Sequence, residues 1–127
     1  MRGDPSNPAD WFRYAQRDLE RAACLDANTD PEGVLFHLQQ AAEKALKGRL
    51  VQLGWKLQRT HDLGALLQAL SEMGHGAEWF REDGELLTNE YIADRYPGAS
   101  DPVPTLEEVV RLKQVTARLL RELSTEG

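Results

Sequence analysis

Asn7–Pro8 and Asp30–Pro31 each place a cap-forming side chain directly before a proline, and each pair is followed by apolar residues at helical spacing. Asparagine and aspartate accept from the free amides of a first helical turn, and proline at the first helical position lacks only an N–H that would have had no partner. The two signals predict a first helix from Asn7 to about Leu25, broken by "DANTDPEG", and a second from Asp30 to about Leu53, stopped by Gly54. A third is expected to start with Thr60 as its cap. It sets Leu63, Leu66, Leu67 and Leu70 on one side and ends at Gly74 and Gly76. Residues 77–95 are helical with an interruption expected near Gly84, and "YPGASDPVP" is a loop by its proline and glycine content. Thr105 and Glu108 form a capping box for a last helix whose stripe is Val109, Leu112, Thr116, Leu119, Leu120 and Leu123. No segment alternates as a strand would. The expected fold class is all-α, an up-and-down antiparallel bundle of four to five helices forming a single domain over residues 1–127, with its core at about 8–123.

A chain of 127 residues buries an adequate core without metal or disulfide staples. No apolar run approaches a membrane span, and "MRGDPSNPADW" has no secretion pattern, so a cytoplasmic location with no membrane association is expected. The formal net charge of −6 argues against coating duplex nucleic acid by bulk electrostatics; any such role must be local, built from a few of the 15 Lys and Arg. Cys24 is the only cysteine, which excludes an internal disulfide and any thiolate-pair metal spacing; it is expected to be a small, partly buried helix residue.

The second helix, "FHLQQAAEKALKGRL" at its centre, has two faces. Leu35, Leu38, Ala42, Ala45, Leu46, Leu50 and Leu53 gather on the core half. Phe36, His37, Gln40, Lys44 and Lys47 gather on the other, which is either a solvated back or the wall of a polar cleft. Gln39, at the edge of the apolar stripe, makes a buried hydrogen bond or lines a polar pocket. On the first helix Asp18 interrupts the stripe of Trp11, Tyr14, Ala15, Ala22 and Leu25. A carboxylate there needs a cation or donor from another helix, and Arg95 and His61 are the candidates. The pair is either a structural ion pair or part of a site. In "LTNEYIADRYPG", Tyr91 and Arg95 share a face with Tyr96 at the exit. The arginine is suited to clamping a phosphate and a tyrosine to stacking on a base; alternatively the tyrosines cap the core while Arg95 pairs with Asp18. There is no phosphate loop, dinucleotide fingerprint, metal-binding His pair or nucleophile elbow, so no cofactor and no generic catalytic residue is expected. Trp79 and Phe80 are adjacent on a short segment and do not easily share one core. One of them therefore favours a homodimer interface, or is covered by the "YPGASDPVP" loop.

Taken in order, "DWFRYAQRDLERA", "FHLQQAAEKALKGRL", "THDLGALL", "LTNEYIADRYPG" and the terminal amphipathic helix resemble the HEPN domain, the higher eukaryote and prokaryote nucleotide-binding domain, over roughly residues 8–123. The resemblance implies a helical bundle similar to nucleotidyltransferase substrate-binding subunits, often dimeric. It also implies nucleotide or RNA binding, and a minimal nucleotidyltransferase partner in a toxin–antitoxin-like pair. Ribonucleases of the family carry an Arg followed four to six residues later by His. Arg95 is the corresponding arginine here, but "YPGASDPVP" supplies no histidine after it, so the chain resembles a branch that has "RYPG" instead, which looks like a nucleotide- or partner-binding one. Its ligand-binding set is then Arg95, Tyr91, Tyr96, Asp18, His37, Gln40, Lys44, Lys47 and His61, with metal-independent endoribonuclease and pure protein-interaction module as the alternatives.

Overall fold

The computed structural model describes residues 2–95 and 104–125. Its helices are α1 (Pro8–Cys24), α2 (Pro31–Gln52), α3 (Leu63–Glu72), α4 (Arg81–Ala93) and α5 (Leu106–Thr125), with a 3-10 turn at Glu78–Phe80 leading into α4; no strand occurs among the described residues. The all-α class holds.

Both cap-and-proline starts form as expected. Asn7 Oδ1 accepts from the Ala9 amide at 3.1 Å, and Asp30 Oδ1 from the Gly33 amide at 2.9 Å. At α5 the capping box closes in both directions: the Thr105 amide donates to Glu108 Oε1 at 2.9 Å, and the Glu108 amide to Thr105 Oγ1 at 3.2 Å. Helix α2 ends in a left-handed glycine, Gly54 at φ 90°, with Trp55 N–H reaching back to the Leu50 carbonyl at 2.9 Å and Gly54 N–H to Val51 at 3.0 Å. This doubly bonded end satisfies carbonyls that would otherwise be orphaned, and a side chain at Gly54 would strain it.

Two boundaries differ from expectation. The cap of α3 is Asp62, not Thr60: the Asp62 carboxylate takes the Gly64 and Ala65 amides, while Thr60 Oγ1 accepts from the Asp62 amide one step earlier. Helix α4 runs through Gly84 without a break, and the irregularity lies upstream in the 3-10 turn. Gly84 is there for packing. A Cβ at this position would stand 3.3 Å from Phe80 and 3.4 Å from Leu67, so the missing side chain lets α3 and the aromatic close on α4.

Helix α2 is the axis of the bundle and packs against α1, α3, α4 and α5. Its leucine face meets Leu63, Leu66, Leu67, Leu70, Phe80, Leu87, Leu112 and Leu119, all fully buried. The opposite half is only partly solvated. Ala41, Glu43, Lys47 and Gly48 are buried, with α1 packed along part of that side and His61 over Glu43, while Phe36 is exposed and His37, Gln40 and Lys44 are partly so. Gly48 permits the approach: a Cβ there would fall 2.8 Å from Phe12 Cε1 and 2.9 Å from Trp11 Cβ. Cys24, expected to be partly buried, is exposed near the end of α1. Trp79 is half-buried. Its indole N–H donates to Glu122 at 3.1 Å and Arg118 lies 3.9 Å over its ring, while Phe80 is the one of the adjacent pair that enters the core. Among the described residues no helix is long and apolar enough to cross a membrane.

Candidate functional site

Asp18 is 2% exposed, on the face of α1 turned to α2. It finds the cationic partner its burial demands, but from α2: Lys44 Nζ donates to Oδ2, and His37 Nδ1 lies 3.0 Å from Oδ1. Arg21, one turn on, adds a looser contact at 3.6 Å. Arg95 and His61, the partners expected from sequence, are not among them, and the reason is geometric. Lys44 and His37 stand two turns apart on α2 facing α1, whereas Arg95 and His61 belong to the α3–α4 side.

Glu43 is a second buried carboxylate with the same arrangement. Lys47 Nζ donates to Oε2 at 3.0 Å and His61 Nδ1 sits 2.8 Å from Oε1. Gln39 Nε2 donates to Glu43 Oε1 at 3.3 Å and to the His61 carbonyl at 3.0 Å, while its own Oε1 accepts from Gln40 at 2.7 Å. Gln39 thus makes the buried hydrogen bonds. A carboxylate facing an ammonium offers only lone pairs, so each histidine must present Nδ1–H to it. That fixes both imidazoles with Nε2 turned away from the carboxylate. The His61 side chain is 59% exposed, so its Nε2 is available to a ligand.

The exposed end of this network is a cleft of about 240 Å³ lined by His61, Asp62, Thr88, Tyr91, Ile92 and Arg95. Tyr91 is buried at its base, its ring centroid 5.5 Å from that of His61, and the Arg95 guanidinium lies 4.6 Å over the ring. Thr88 Oγ1 accepts the Leu63 amide at 3.2 Å, tying α4 to the start of α3. Arg95 is exposed and has no carboxylate partner among the described residues; the aromatic face orients the cation without neutralising it. Phe36 joins the two networks, stacked on Tyr91 at 5.9 Å and edge-on to His37 at 5.2 Å.

The structure therefore brings His61, Tyr91 and Arg95 to one cleft and places Asp18, His37 and Lys44 in a neighbouring cluster. Gln40 lies on the chain of hydrogen bonds through Gln39 that leads to Glu43. Lys47 is 6% exposed and paired, which removes it from any cleft wall, and Lys44 is committed to Asp18. The α2 back is thus a polar seam buried at Glu43 and Lys47, and Arg95, with no carboxylate partner among the described residues, stands at α4's exit. Tyr96 lies outside the described residues. Glu43 and Phe36 had no site role in the sequence. The available signal for Glu43 was its spacing, i+4 from Gln39 and i−4 from Lys47 on a helix whose neighbours are nearly all alanine and leucine. Among the described residues no group of three or more His, Cys, Asp and Glu stands together in a way that would hold a metal.

No curated protein and no solved structure matches the chain. The model of the HEPN domain matches residues 8–125, nearly the whole of it, so the chain belongs to the HEPN domain family and to the nucleotide- and RNA-related class of function that membership carries.

Proposed function

We propose that this protein binds a nucleotide or an RNA end by its phosphate in the cleft between α3 and α4, with Arg95 as the clamp. The observation that carries this is Arg95 itself: an exposed guanidinium, free of carboxylates among the described residues, held over Tyr91 beside a histidine whose Nε2 is available. The fork of guanidinium N–H donors, opening on this cleft, suits the several acceptor oxygens of a phosphate. Titration calorimetry with AMP tests it. The wild type is expected to bind and Arg95→Ala to lose most of that affinity with an unchanged melting temperature; equal binding by both would remove the clamp.

The protein acts, in this proposal, with a minimal nucleotidyltransferase as one half of a toxin–antitoxin-like pair, and as a homodimer in the cytoplasm. Family membership is what supports these points. Co-expression with a minimal nucleotidyltransferase, followed by co-purification, tests the pairing, and light scattering tests the dimer.

A second reading is favoured by the Glu43–His61 pair. Its histidine lies in the same chain's cleft as Arg95 and needs no partner copy to supply it. As a metal-independent endoribonuclease, His61 Nε2 would take the ribose 2′-hydroxyl proton as the 2′-oxygen attacks the adjacent phosphorus. The P–O5′ bond breaks, the 5′-oxygen leaves as a hydroxyl with a proton from solvent, and a 2′,3′-cyclic phosphate remains. Cleavage of RNA in excess chelator that is lost in His61→Asn would support it; an uncut substrate would leave binding alone.

A further inference from the structure

The surface does not end at Arg95. Phe36, stacked on Tyr91, is 37% exposed, and beyond it His37 lines a second depression of about 400 Å³ with Arg17, Glu20, Arg21, Cys24 and Leu25. This depression is organised from beneath. Asp18 Oδ1 faces both His37, at 3.0 Å, and Arg21, at 3.6 Å, and Arg17 lies 5.1 Å over the Tyr14 ring. Two arginines, Arg17 and Arg21, line it with one exposed carboxylate, Glu20, while the buried Asp18 beneath is paired with Lys44. On the other flank of the Phe36–Tyr91 pair a narrow notch is lined by Glu32, Glu90 and Asp94, where a polyanion would be repelled. Positive groups at both ends, exposed aromatic surface between them and negative groups on one flank together define a path. Bound single strands follow such surfaces, with the backbone on cations and bases on ring faces.

Resting on the phosphate site at Arg95, we propose that the ligand is a single-stranded oligonucleotide and not a free mononucleotide. One phosphate sits at Arg95 and His61, a base lies against Phe36, and a neighbouring phosphate occupies the Arg17–Arg21–His37 depression. The residues of this second subsite on α1 are exposed, which makes them separable from the fold.

Fluorescence anisotropy with fluorescein-labelled hexa-adenylate, with AMP as competitor and across a range of salt concentration, tests the proposal. Hexa-adenylate should bind at least about tenfold tighter than AMP, since a second charged contact adds that much or more. The Arg17→Gln, Arg21→Gln double variant should remove that advantage while AMP affinity stays unchanged. The slope of log affinity against log salt should fall by about 0.7 for each phosphate that the variant no longer neutralises. Arg95→Ala should weaken both ligands. Arg17→Gln alone, at a residue whose contact among the described residues is the Tyr14 ring, serves if the double variant melts early. Hexa-adenylate binding no tighter than AMP, or indifferent to the α1 arginines with its salt slope intact, overturns the second subsite and leaves the Arg95 site standing. Failure of the wild type to bind either ligand overturns both.

Discussion

Arg95, one of the two candidate partners for Asp18, does not meet it, and the two residues behave as separate devices. Arg95→Ala should cost about 1.5–3 kcal/mol of ligand binding, the usual worth of a hydrogen bond to a charged group, with no loss of stability, because the guanidinium is exposed. Asp18→Asn should do the reverse. It leaves the Lys44 ammonium facing an amide and should lower stability by about 1–3 kcal/mol in a urea titration, since Lys44 and His37 keep some access to water. An unchanged denaturation midpoint would mean that Asp18 is not the structural anchor its burial implies. That Asp18 needs a partner is legible from its place in an apolar stripe. Which cation answers it is not, because His37, Lys44, His61 and Arg95 are equally suitable chemically and only the register of α1 on α2 selects among them. Glu43 was only weakly legible for a related reason: its spacing to Lys47 at i+4 is also that of a solvated surface pair, and only the packing of its neighbours, with His61 at the α3 entry over it, makes it a buried one.

Helices were the most legible feature, since caps and apolar stripes are local. The starts of α1, α2 and α5 follow from single residues and their neighbours. The α3 start slipped by two residues because Thr60, His61 and Asp62 lie in a run with two cap-forming side chains, and the aspartate with its charge is the one aimed at the free amides. Gly84 misled because a glycine inside a helix signals either a break or a close contact, and the difference lies on another helix. Two outcomes belong to this scale. Leu46, fully buried at the centre of α2, should cost about 2–5 kcal/mol when cut to alanine, read as a fall in melting temperature. Bonds from the Thr105 amide and hydroxyl hold the Glu108 carboxyl below its ordinary value. A carboxylate whose folded value is lowered stabilises above its unfolded value and loses that contribution as pH falls through the folded one. Hence the stability gap between wild type and Glu108→Gln should be present at neutral pH and shrink through the acid range below the ordinary glutamate value. A gap independent of pH would show that the carboxylate's charge does nothing for the cap.

The whole molecule is arranged around one helix buried on nearly every side, which is why α2 carries alanine, glycine, paired lysines and an internal carboxylate where a peripheral helix would carry a plain polar back. The net charge of −6 is compatible with a polyanionic ligand because the cations are gathered locally, at Arg95 and along α1, while the acidic notch lies to one flank. Ligand affinity should therefore fall with salt more steeply than the overall charge suggests.

Gly48 gives this arrangement a long reach. With Trp11 and Phe12 pressed against its bare backbone, it works like the thin shim that sets the clearance of two machine parts. Asp18 lies seven residues along α1 from Trp11, two turns and about 10 Å away. An alanine at Gly48 would lift α1 by the thickness of a methyl group at one end, and the displacement would be felt at the other, where Asp18 meets His37 and Lys44. One hydrogen atom on α2 thus sets the alignment of a polar cluster with which it has no contact.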